Sequence, residues 1–213
     1  MVEVDQLNEN KDREKNRRRL SPEDRRSQII DGSVAYFAEV GLSGNTRELS
    51  RRLGVTQSLI FKYFPTKADL HEAVYERLFL TRLAPRWPVL IRDRSLPLKT
   101  RITSFYLEYT EAIFTYEWMR VFIYSGLDGA QLTQRYLKHL SEWILNPLLD
   151  ELVASSVDRR APDIEDVWNL HGGIIYIGIR RFIYQTPTPE NDGPAIRDAI
   201  ERFLSHWDLD RGA

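Results

Sequence analysis

Residues 45–70 read NTRELSRRLGVTQSLIFKYFPTKADL, and this stretch decides the fold. Asn45 followed by Glu48 resembles a capping box, which predicts the start of a short helix. Gly54 breaks that helix because glycine adopts positive φ at no steric cost. Thr56 then caps a second short helix. Two short helices joined by a tight turn are the pattern of a helix-turn-helix.

The second of these helices divides into an inward and an outward face. The apolar spacing places Ile60 and Phe64 inward and leaves Leu59 half exposed. Glutamine can pair with adenine in the major groove, and lysine can reach guanine or phosphate. The outward set is Gln57, Ser58, Lys62 and Tyr63. A plain link between two helices of a bundle has the same local pattern, so both interpretations stay open here.

The positive charge of the chain is concentrated around this stretch. Residues 10–70 contain 13 Lys and Arg against 8 Asp and Glu, whereas residues 71–213 contain 17 against 20. Binding to duplex DNA depends on neutralising phosphates and releasing counterions, which requires local positive charge. Ordinary solvated surfaces show similar runs of charge, so the charge alone does not separate the two interpretations.

The composition excludes several classes of site. With 42% hydrophobic residues among 213, the chain can build a sizeable core. It has no cysteine, which excludes disulfides, thiolate nucleophiles and cysteine-based metal sites. No apolar run is long enough to span a bilayer, and the polar N-terminus does not read as a signal peptide. We expect a cytoplasmic protein.

The spacing of apolar residues predicts an all-α fold of about nine helices in two parts. We expect a disordered tail over 1–20, a helix-turn-helix domain over 21–66 and a helical ligand-binding and dimerisation domain over 67–213. A helix over 67–82 links the two domains, and prolines at 85, 88 and 97 predict a connecting segment after it. Pro147 is expected to kink a later helix. Those later helices are predicted over 97–115, 117–126, 129–154, 163–185 and 193–208.

Residues 29–70 resemble the N-terminal domain of the tetracycline-repressor (TetR) family of bacterial regulators. Three positions depart from the family pattern: Phe61 replaces a tyrosine, Ser58 replaces a frequent glycine, and the segment between Gly41 and Leu49 is one residue shorter. The matching landmarks are Phe37 and Gly41, Leu49-Ser50, Leu53-Gly54-Val55-Thr56, Phe61-Lys62-Tyr63-Phe64 and Lys67-Ala68-Asp69-Leu70.

The resemblance implies a role for each matching position. Asn45 and Thr46 would start the second helix near a phosphate, while Thr56, Ser58 and Lys67 would contact the DNA backbone. Gln57, Leu59, Lys62 and Tyr63 would face the major groove. Lys67 is singled out among these positions because a cation in the first turn of a helix opposes the helix dipole, a cost that a nearby phosphate would offset.

The tail ends in Arg17, Arg18 and Arg19, which can follow a minor groove as a basic arm. An unbound tail is the alternative interpretation.

The second part of the chain is rich in tyrosine and tryptophan at helical spacing. Aromatic stripes are usually core, but each buried hydroxyl or indole N–H needs a hydrogen-bond partner. A cavity lined by such groups would suit a mostly apolar or aromatic small molecule, and the resemblance implies a ligand pocket here. The predicted ligand-binding residues are Tyr109, Trp118, Phe122, Trp168 and Tyr176.

The helix near 163–185 contains Gly172, Gly173 and Gly178, which suggest close approach of another helix. We interpret His171 beside them as a core or interface histidine whose hydrogen bonds are satisfied. The resemblance implies a homodimer through this helix and the one near 193–208. Dimerisation also follows from function, since two half-sites related by a twofold axis are the usual target of one recognition helix per subunit.

These observations predict a ligand-responsive, sequence-specific transcriptional regulator that binds double-stranded DNA at a palindromic operator, most simply as a repressor. No HExxH, Gly-x-Ser-x-Gly, P-loop or dinucleotide-binding motif occurs, so we expect no enzymatic activity, cofactor or metal. A helical interaction module, or an enzyme with a degenerate helix-turn-helix, remains the alternative.

Overall fold

The computed structural model describes residues 20–129, 131–156 and 161–209, and all regular structure in these ranges is helical. The all-α prediction is confirmed. The predicted tail with Arg17–Arg19 lies outside the described residues. In chain order the helices are α1 (Pro22–Val40), α2 (Thr46–Leu53), α3 (Gln57–Tyr63), α4 (Lys67–Leu78), α5 (Trp87–Arg92), α6 (Leu98–Ile113), α7 (Tyr116–Leu127), α8 (Gln131–Leu140), α9 (Asn146–Ser155), α10 (Ile164–Phe182) and α11 (Gly193–His206).

The helix-turn-helix domain (α1–α3) is built around one apolar core. Ser21 caps α1, because its Oγ accepts a hydrogen bond from the Asp24 amide at 3.0 Å. Gly32 allows α1 to approach α2 closely, since a Cβ there would lie 2.1 Å from Leu53 Cδ2. The side chains buried in this core are Ile29, Ile30, Phe37, Leu49, Ile60 and Phe64.

The C-terminal region (α4–α11) packs around α6, α7 and α10. Helix α11 lies along α6, α8 lies along α7, and α10 contacts both α7 and α11. Helix α1 packs against α4 and α7, so the helix-turn-helix domain is held by a second contact besides the chain connection. In the described residues, no helix combines the length and apolar character needed to cross a membrane.

One short helix occupies the segment that the prolines predicted as a connection. Pro88 falls in the first turn of α5, where a missing N–H costs nothing. Trp87 and Ile91 are buried on the side of α5 that faces the core. Burial of these two side chains therefore gives a helical turn to a segment whose local sequence favours a loop.

The predicted kink at Pro147 takes the form of a π-helical turn. Residues Ser141–Leu145 connect α8 to α9 with a wider turn, and the Asn146 amide bonds to the Ser141 carbonyl. Proline lacks an amide hydrogen and its ring clashes with the carbonyl four residues earlier. A π turn just before it removes that clash while the helix continues.

Candidate nucleic-acid interface and effector region

The turn between α2 and α3 has the geometry that a helix-turn-helix needs. Gly54 adopts the left-handed conformation, with φ 64° and ψ 31°. Its amide bonds to the Arg51 carbonyl, and the Val55 amide bonds to the Ser50 carbonyl at 3.0 Å. These bonds satisfy carbonyls at the end of α2 and turn the chain sharply into α3.

Both helices of the motif begin at a side-chain cap. The Asn45 side chain accepts from the Arg47 amide at 2.8 Å, and Thr56 Oγ1 accepts from the Leu59 amide at 3.2 Å. Thr56 Oγ1 also lies 3.0 Å from Ser58 Oγ. The caps stand at the predicted residues, so the start of each helix is fixed by local hydrogen bonds. The reciprocal capping box predicted from Asn45 and Glu48 does not form, because the Glu48 carboxylate binds Arg51 and Arg52 instead.

Helix α3 presents a mixed face to solvent. Ile60 and Phe64 are buried, as predicted, and Leu59 is half-buried. Ser58 and Lys62 are exposed, and the side chain that joins them on this face is Phe61, with 37% of its surface exposed. The Phe61 ring makes no aromatic or cation–π contact with a described residue, so packing within the chain does not account for its position.

Gln57 connects the two helices of the motif. Its Nε2 donates to Thr46 Oγ1 at 2.9 Å, and the residue is half-buried. From the sequence, Gln57 was predicted to face the major groove. In this structure its side-chain amide hydrogen-bonds the start of α3 to the start of α2.

The exposed arginines of α2 differ in their pairing. Arg51 is bound to Glu48 at 2.6 Å, and Arg52 is bound to both Glu48 and Glu39. Arg47 is exposed and forms no ion pair with any described residue. It was not among the predicted contacts, although it is a cation in the first turn of a helix, as Lys67 is.

Lys67 lies at the first turn of α4 and is half-buried. Burial lowers the pKa of its ammonium, and the carboxylate of Asp128 partly opposes that change. Asp128 follows the last turn of α7, so Lys67 lies between the predicted DNA-binding surface and the C-terminal region. Next to it, burial lowers the pKa of His71, whose ring packs edge-on against Phe37 at 5.1 Å.

The N-terminal domain matches the sequence model for bacterial regulatory proteins of the tetR family over residues 29–74. The chain therefore carries a TetR-family DNA-binding domain at its N-terminus. It is a transcriptional regulator with a helix-turn-helix DNA-binding domain, which confirms the resemblance drawn from the sequence.

Solved structures of other regulators share the fold over most of the chain. One is a putative TetR-family transcriptional regulator from Mesorhizobium loti, with 14% identity over 88% of this chain and 98% of that chain and a TM-score of 0.59. Another is a TetR-family regulator from Pseudomonas syringae pv. tomato, with 14% identity over 87% and 97% and a TM-score of 0.61. A putative transcription regulator from Lactobacillus plantarum has 18% identity, the same coverage and a TM-score of 0.58.

The interior of the regulator's C-terminal region is an aromatic cluster. Trp118 and Phe122 of α7 stack at 4.9 Å with an angle of 14° between their planes. Tyr136 packs edge-on against both of them, and its hydroxyl lies 2.9 Å from that of Tyr109. Burial raises the pKa of both tyrosines, so both hydroxyls are protonated.

Three polar atoms in this cluster have no hydrogen-bond partner among the described residues. They are the hydroxyl of Tyr106, Nε1 of Trp118 and Nδ1 of His171. Buried polar groups are almost always paired, so each orphan needs a reason. His171 is a core residue, as predicted, but the prediction that its hydrogen bonds are satisfied is wrong for Nδ1. Burial also lowers its pKa to about 4.

The predicted ligand-binding residues fall into two places. Tyr109, Trp118 and Phe122 belong to the aromatic cluster, and Trp168 reaches it through His171, whose ring lies 5.8 Å away. Tyr176 is half exposed on the outside of α10, where its nearest ring is Tyr184 at 6.4 Å. The sequence also missed Tyr106 and Tyr136, because a tyrosine stripe does not show which hydroxyls find partners.

The outer face of α10 carries two exposed glycines in mid-helix. Gly178 faces inward, and a Cβ there would lie 2.7 Å from the ring of Phe114, which confirms close packing. Gly172 and Gly173 instead face open space and are exposed. Two exposed glycines in the middle of a helix cost stability, about 1 kcal/mol each relative to alanine, and nothing within the described chain compensates for them.

Proposed function

We propose that this regulator is a homodimeric repressor that binds a palindromic operator and is released from it by a small, mostly apolar or aromatic ligand. The observation that carries the ligand response is the set of orphaned polar atoms on Tyr106, Trp118 and His171 inside an aromatic core. A repressor active on bacterial DNA would be cytoplasmic. In such a repressor, residues 1–20 would form a tail, residues 21–66 the DNA-binding domain and residues 67–213 the ligand-binding and dimerisation domain.

The proposed DNA contacts are those that the sequence predicted, with one addition. Leu59, Lys62 and Tyr63 lie on or beside the exposed face of α3 and would face the major groove together with Gln57, which is positioned by its bond to Thr46. The proposed contacts at or near the DNA backbone are Asn45, Thr46, Thr56, Ser58 and Lys67. We add Arg47, because it is exposed and has no carboxylate partner among the described residues.

The proposed effector site is the aromatic cluster around α7. Tyr109, Trp118, Phe122 and Trp168 would supply the apolar walls, and the three orphaned polar atoms would orient the ligand by hydrogen bonds. A ligand with one or two acceptors and a donor would satisfy groups that the protein leaves unpaired. A buried polar group that gains a partner contributes about 1–3 kcal/mol, which is enough for selective binding.

The proposed dimer interface is formed by the outer faces of α10 and α11. Gly172 and Gly173 would allow the partner helix to approach closely, and Tyr176 would lie in the contact. On α11, Phe203 and Trp207 are half-buried on the same stripe. This arrangement gives the exposed glycines a function that they lack in a single chain.

Helix α7 would transmit the ligand signal. Its inner face carries Trp118 and Phe122, and its outer face carries Arg120, whose Nε donates to the Ala38 carbonyl of α1 at 2.6 Å. The Arg120 Nη2 also donates to the Tyr124 hydroxyl at 2.7 Å. A ligand that binds one position of α7 more tightly would shift the two recognition helices away from successive major grooves, about 34 Å apart.

DNA binding is tested by fluorescence anisotropy against duplexes from upstream of the protein's gene and its neighbours, at several salt concentrations with random duplex as competitor. We expect tight binding to one fragment over a weak, salt-dependent background. Lys67→Ala should weaken binding to all sequences and reduce the salt slope by about one. Lys138→Ala, exposed on α8, is the matched control and should change neither. Absence of binding at low salt would favour the interaction-module or enzyme alternative.

The dimer is tested with Gly172→Leu, measured by light scattering after size exclusion. Leucine favours a helix more than glycine does, so a free surface would tolerate it, whereas a close helix contact would not. We expect the variant to be a monomer and Gln134→Leu, at an exposed position on α8, to remain a dimer. A dimeric Gly172→Leu protein would contradict the proposed interface.

A further inference from the structure

The exposed phenylalanine of α3 has no role in the contacts proposed above. Phe61 has 37% of its surface exposed, and its ring makes no aromatic or cation–π contact with a described residue. A single exposed apolar side chain is ordinary on a protein surface. Phe61 is different because it stands on the recognition helix of a helix-turn-helix, where a partner molecule would cover it.

The ring lies on the face of α3 that points away from the core. Ser58, three residues before it, and Lys62, directly after it, are also exposed. Residues three and four apart are neighbours on the surface of a helix, so these three side chains share one face. Ile60 and Phe64 fill the opposite, buried side. The exposed face of the recognition helix therefore combines a hydroxyl, a phenyl ring and an ammonium group.

The orientation of this face is fixed by contacts at both ends of α3. At the start of the helix, Thr56 Oγ1 accepts from the Leu59 amide at 3.2 Å, and Gln57 Nε2 donates to Thr46 of α2 at 2.9 Å. At the end, the guanidinium of Arg26 from α1 lies 5.2 Å from the centre of the buried Phe64 ring. Phe61 is therefore held by a helix that cannot easily turn its apolar side inward.

The chemistry of a phenyl ring restricts which parts of DNA it can contact. A phenylalanine side chain has no polar atom, so it forms no conventional hydrogen bond with a phosphate oxygen or with the donors and acceptors of a base edge. In the major groove, the apolar group on a base edge is the 5-methyl group of thymine. Side chains that wedge between base steps act from the minor groove, whereas a recognition helix enters the major groove.

We propose that Phe61 packs against the methyl group of one thymine in each half of the operator and makes the regulator prefer thymine at that position. This inference rests on the proposed operator binding and adds a base-reading residue to it. Lys62 is exposed and forms no ion pair with a described residue, so its ammonium can bind a phosphate or a guanine beside the ring. Burial of one methyl group contributes about fourfold in affinity, and two half-sites contribute about fifteenfold.

The test compares thymine with deoxyuridine, which forms the same base pair and lacks only the 5-methyl group. The probe is the sequence that the full-length protein enriches from a library of random duplexes, prepared once with thymine and once with deoxyuridine at every thymine position. Fluorescence anisotropy gives the two dissociation constants at one salt concentration. We expect wild type to bind the thymine duplex at least about fifteenfold more tightly, and Phe61→Ala to lower that ratio by about the same factor.

Lys62→Ala is the matched control on the same face of α3. Loss of its charge should weaken binding to both duplexes and leave the ratio between them unchanged. Phe61→Leu keeps an apolar side chain and should retain part of the ratio. Alanine and leucine favour a helix more than phenylalanine does, so both variants of this exposed position should fold, which circular dichroism checks.

The outcomes separate this inference from the proposed function. Tight binding with equal affinity for the two duplexes would overturn the role of Phe61 and leave operator binding in place. The same conclusion would follow if Phe61→Ala kept the full ratio, because the preference would then come from another residue or from the shape of the DNA. If the protein enriches no sequence, operator binding itself is wrong and this inference falls with it.

Discussion

The two halves of this regulator begin their helices differently. In the helix-turn-helix domain and its linking helix, each of α1 to α4 starts at a side-chain cap, and Thr66 and Asp69 complete a reciprocal capping box on α4. In the C-terminal region, α5, α6, α9 and α11 have no side-chain cap, whereas Thr115 caps α7 and Asp163 with Asp166 forms a capping box on α10. Every helix of the first half is therefore fixed at its start by local hydrogen bonds, whereas four helices of the second half depend on packing between distant segments.

The interiors of the two halves differ in how their buried polar atoms are paired. The core of α1–α3 is formed mainly by aliphatic side chains with Phe37 and Phe64. No side-chain polar atom of these three helices is buried and unpaired among the described residues, and the unpaired Nε2 of His71 belongs to α4, which packs on Phe37. The C-terminal interior buries Tyr106, Trp118 and His171 with orphaned polar atoms. A core whose buried polar groups are paired suits a rigid DNA-binding domain, whereas unpaired polar groups in the interior of the C-terminal region suit the binding of a small molecule.

The largest expected effect on stability comes from a change in the core of the helix-turn-helix domain. Phe37→Ala removes a fully buried ring and should lower the free energy of unfolding by about 3–5 kcal/mol. Urea unfolding followed by circular dichroism measures it. The exposed substitution Glu23→Ala on the same helix serves as control, and a loss of under 1 kcal/mol for Phe37→Ala would show that this core is not tightly packed.

The second effect is a pH dependence that belongs to the other half. Burial lowers the pKa of His171 to about 4, below the value of about 6.5 in an unfolded chain. The unfolded state therefore binds more protons between these pH values. The resulting stability is complete above pH 6.5 and is lost as the pH falls toward 4, by about 3 kcal/mol.

His171→Gln should flatten this part of the stability profile, measured by chemical unfolding from pH 7 to pH 4. The carboxylates titrate in both proteins, so the difference between the two profiles isolates the histidine. Parallel profiles would mean that His171 is not buried as the structure shows.

A smaller effect is expected at the Tyr109–Tyr136 pair. Removing one hydroxyl leaves the other buried without a partner, so Tyr136→Phe should cost about 1–2 kcal/mol. The double variant Tyr109→Phe with Tyr136→Phe should recover part of that loss. Thermal unfolding of the double-mutant cycle gives the coupling between the hydroxyls, and strictly additive losses would contradict the bond.

The smallest effect on stability is expected at Tyr106, whose buried hydroxyl is unpaired, in contrast to those of Tyr109 and Tyr136. Tyr106→Phe removes a buried hydroxyl that has no partner among the described residues, so stability should be unchanged or higher by up to about 1 kcal/mol. In a screen of aromatic ligands by thermal shift, the same variant should lose part of the stabilisation that an effector gives wild type. A clear destabilisation without ligand would mean that the hydroxyl is bonded in the protein.

The sequence predicted the helix-turn-helix because its determinants are local. Asn45, Gly54, Thr56 and the spacing of Ile60 and Phe64 act within a few residues of one another, and each appears in the structure in its predicted role. The predictions from the sequence failed where the conformation depends on a contact between residues far apart in the chain. The burial of Trp87 turned a proline-rich connection into α5, and Gln57 bonds to Thr46 instead of standing free.

The amino-acid sequence by itself determined that this protein is helical, that its N-terminal helices form a DNA-binding motif, and where those helices begin and end. Caps, turns and the period of apolar residues act over a single turn and can be read in order. Only the tertiary structure decided which tyrosines share a hydrogen bond, which glycines face solvent and which buried polar atoms stay unpaired. Those outcomes depend on how segments far apart in the chain pack together, and no local pattern encodes that packing.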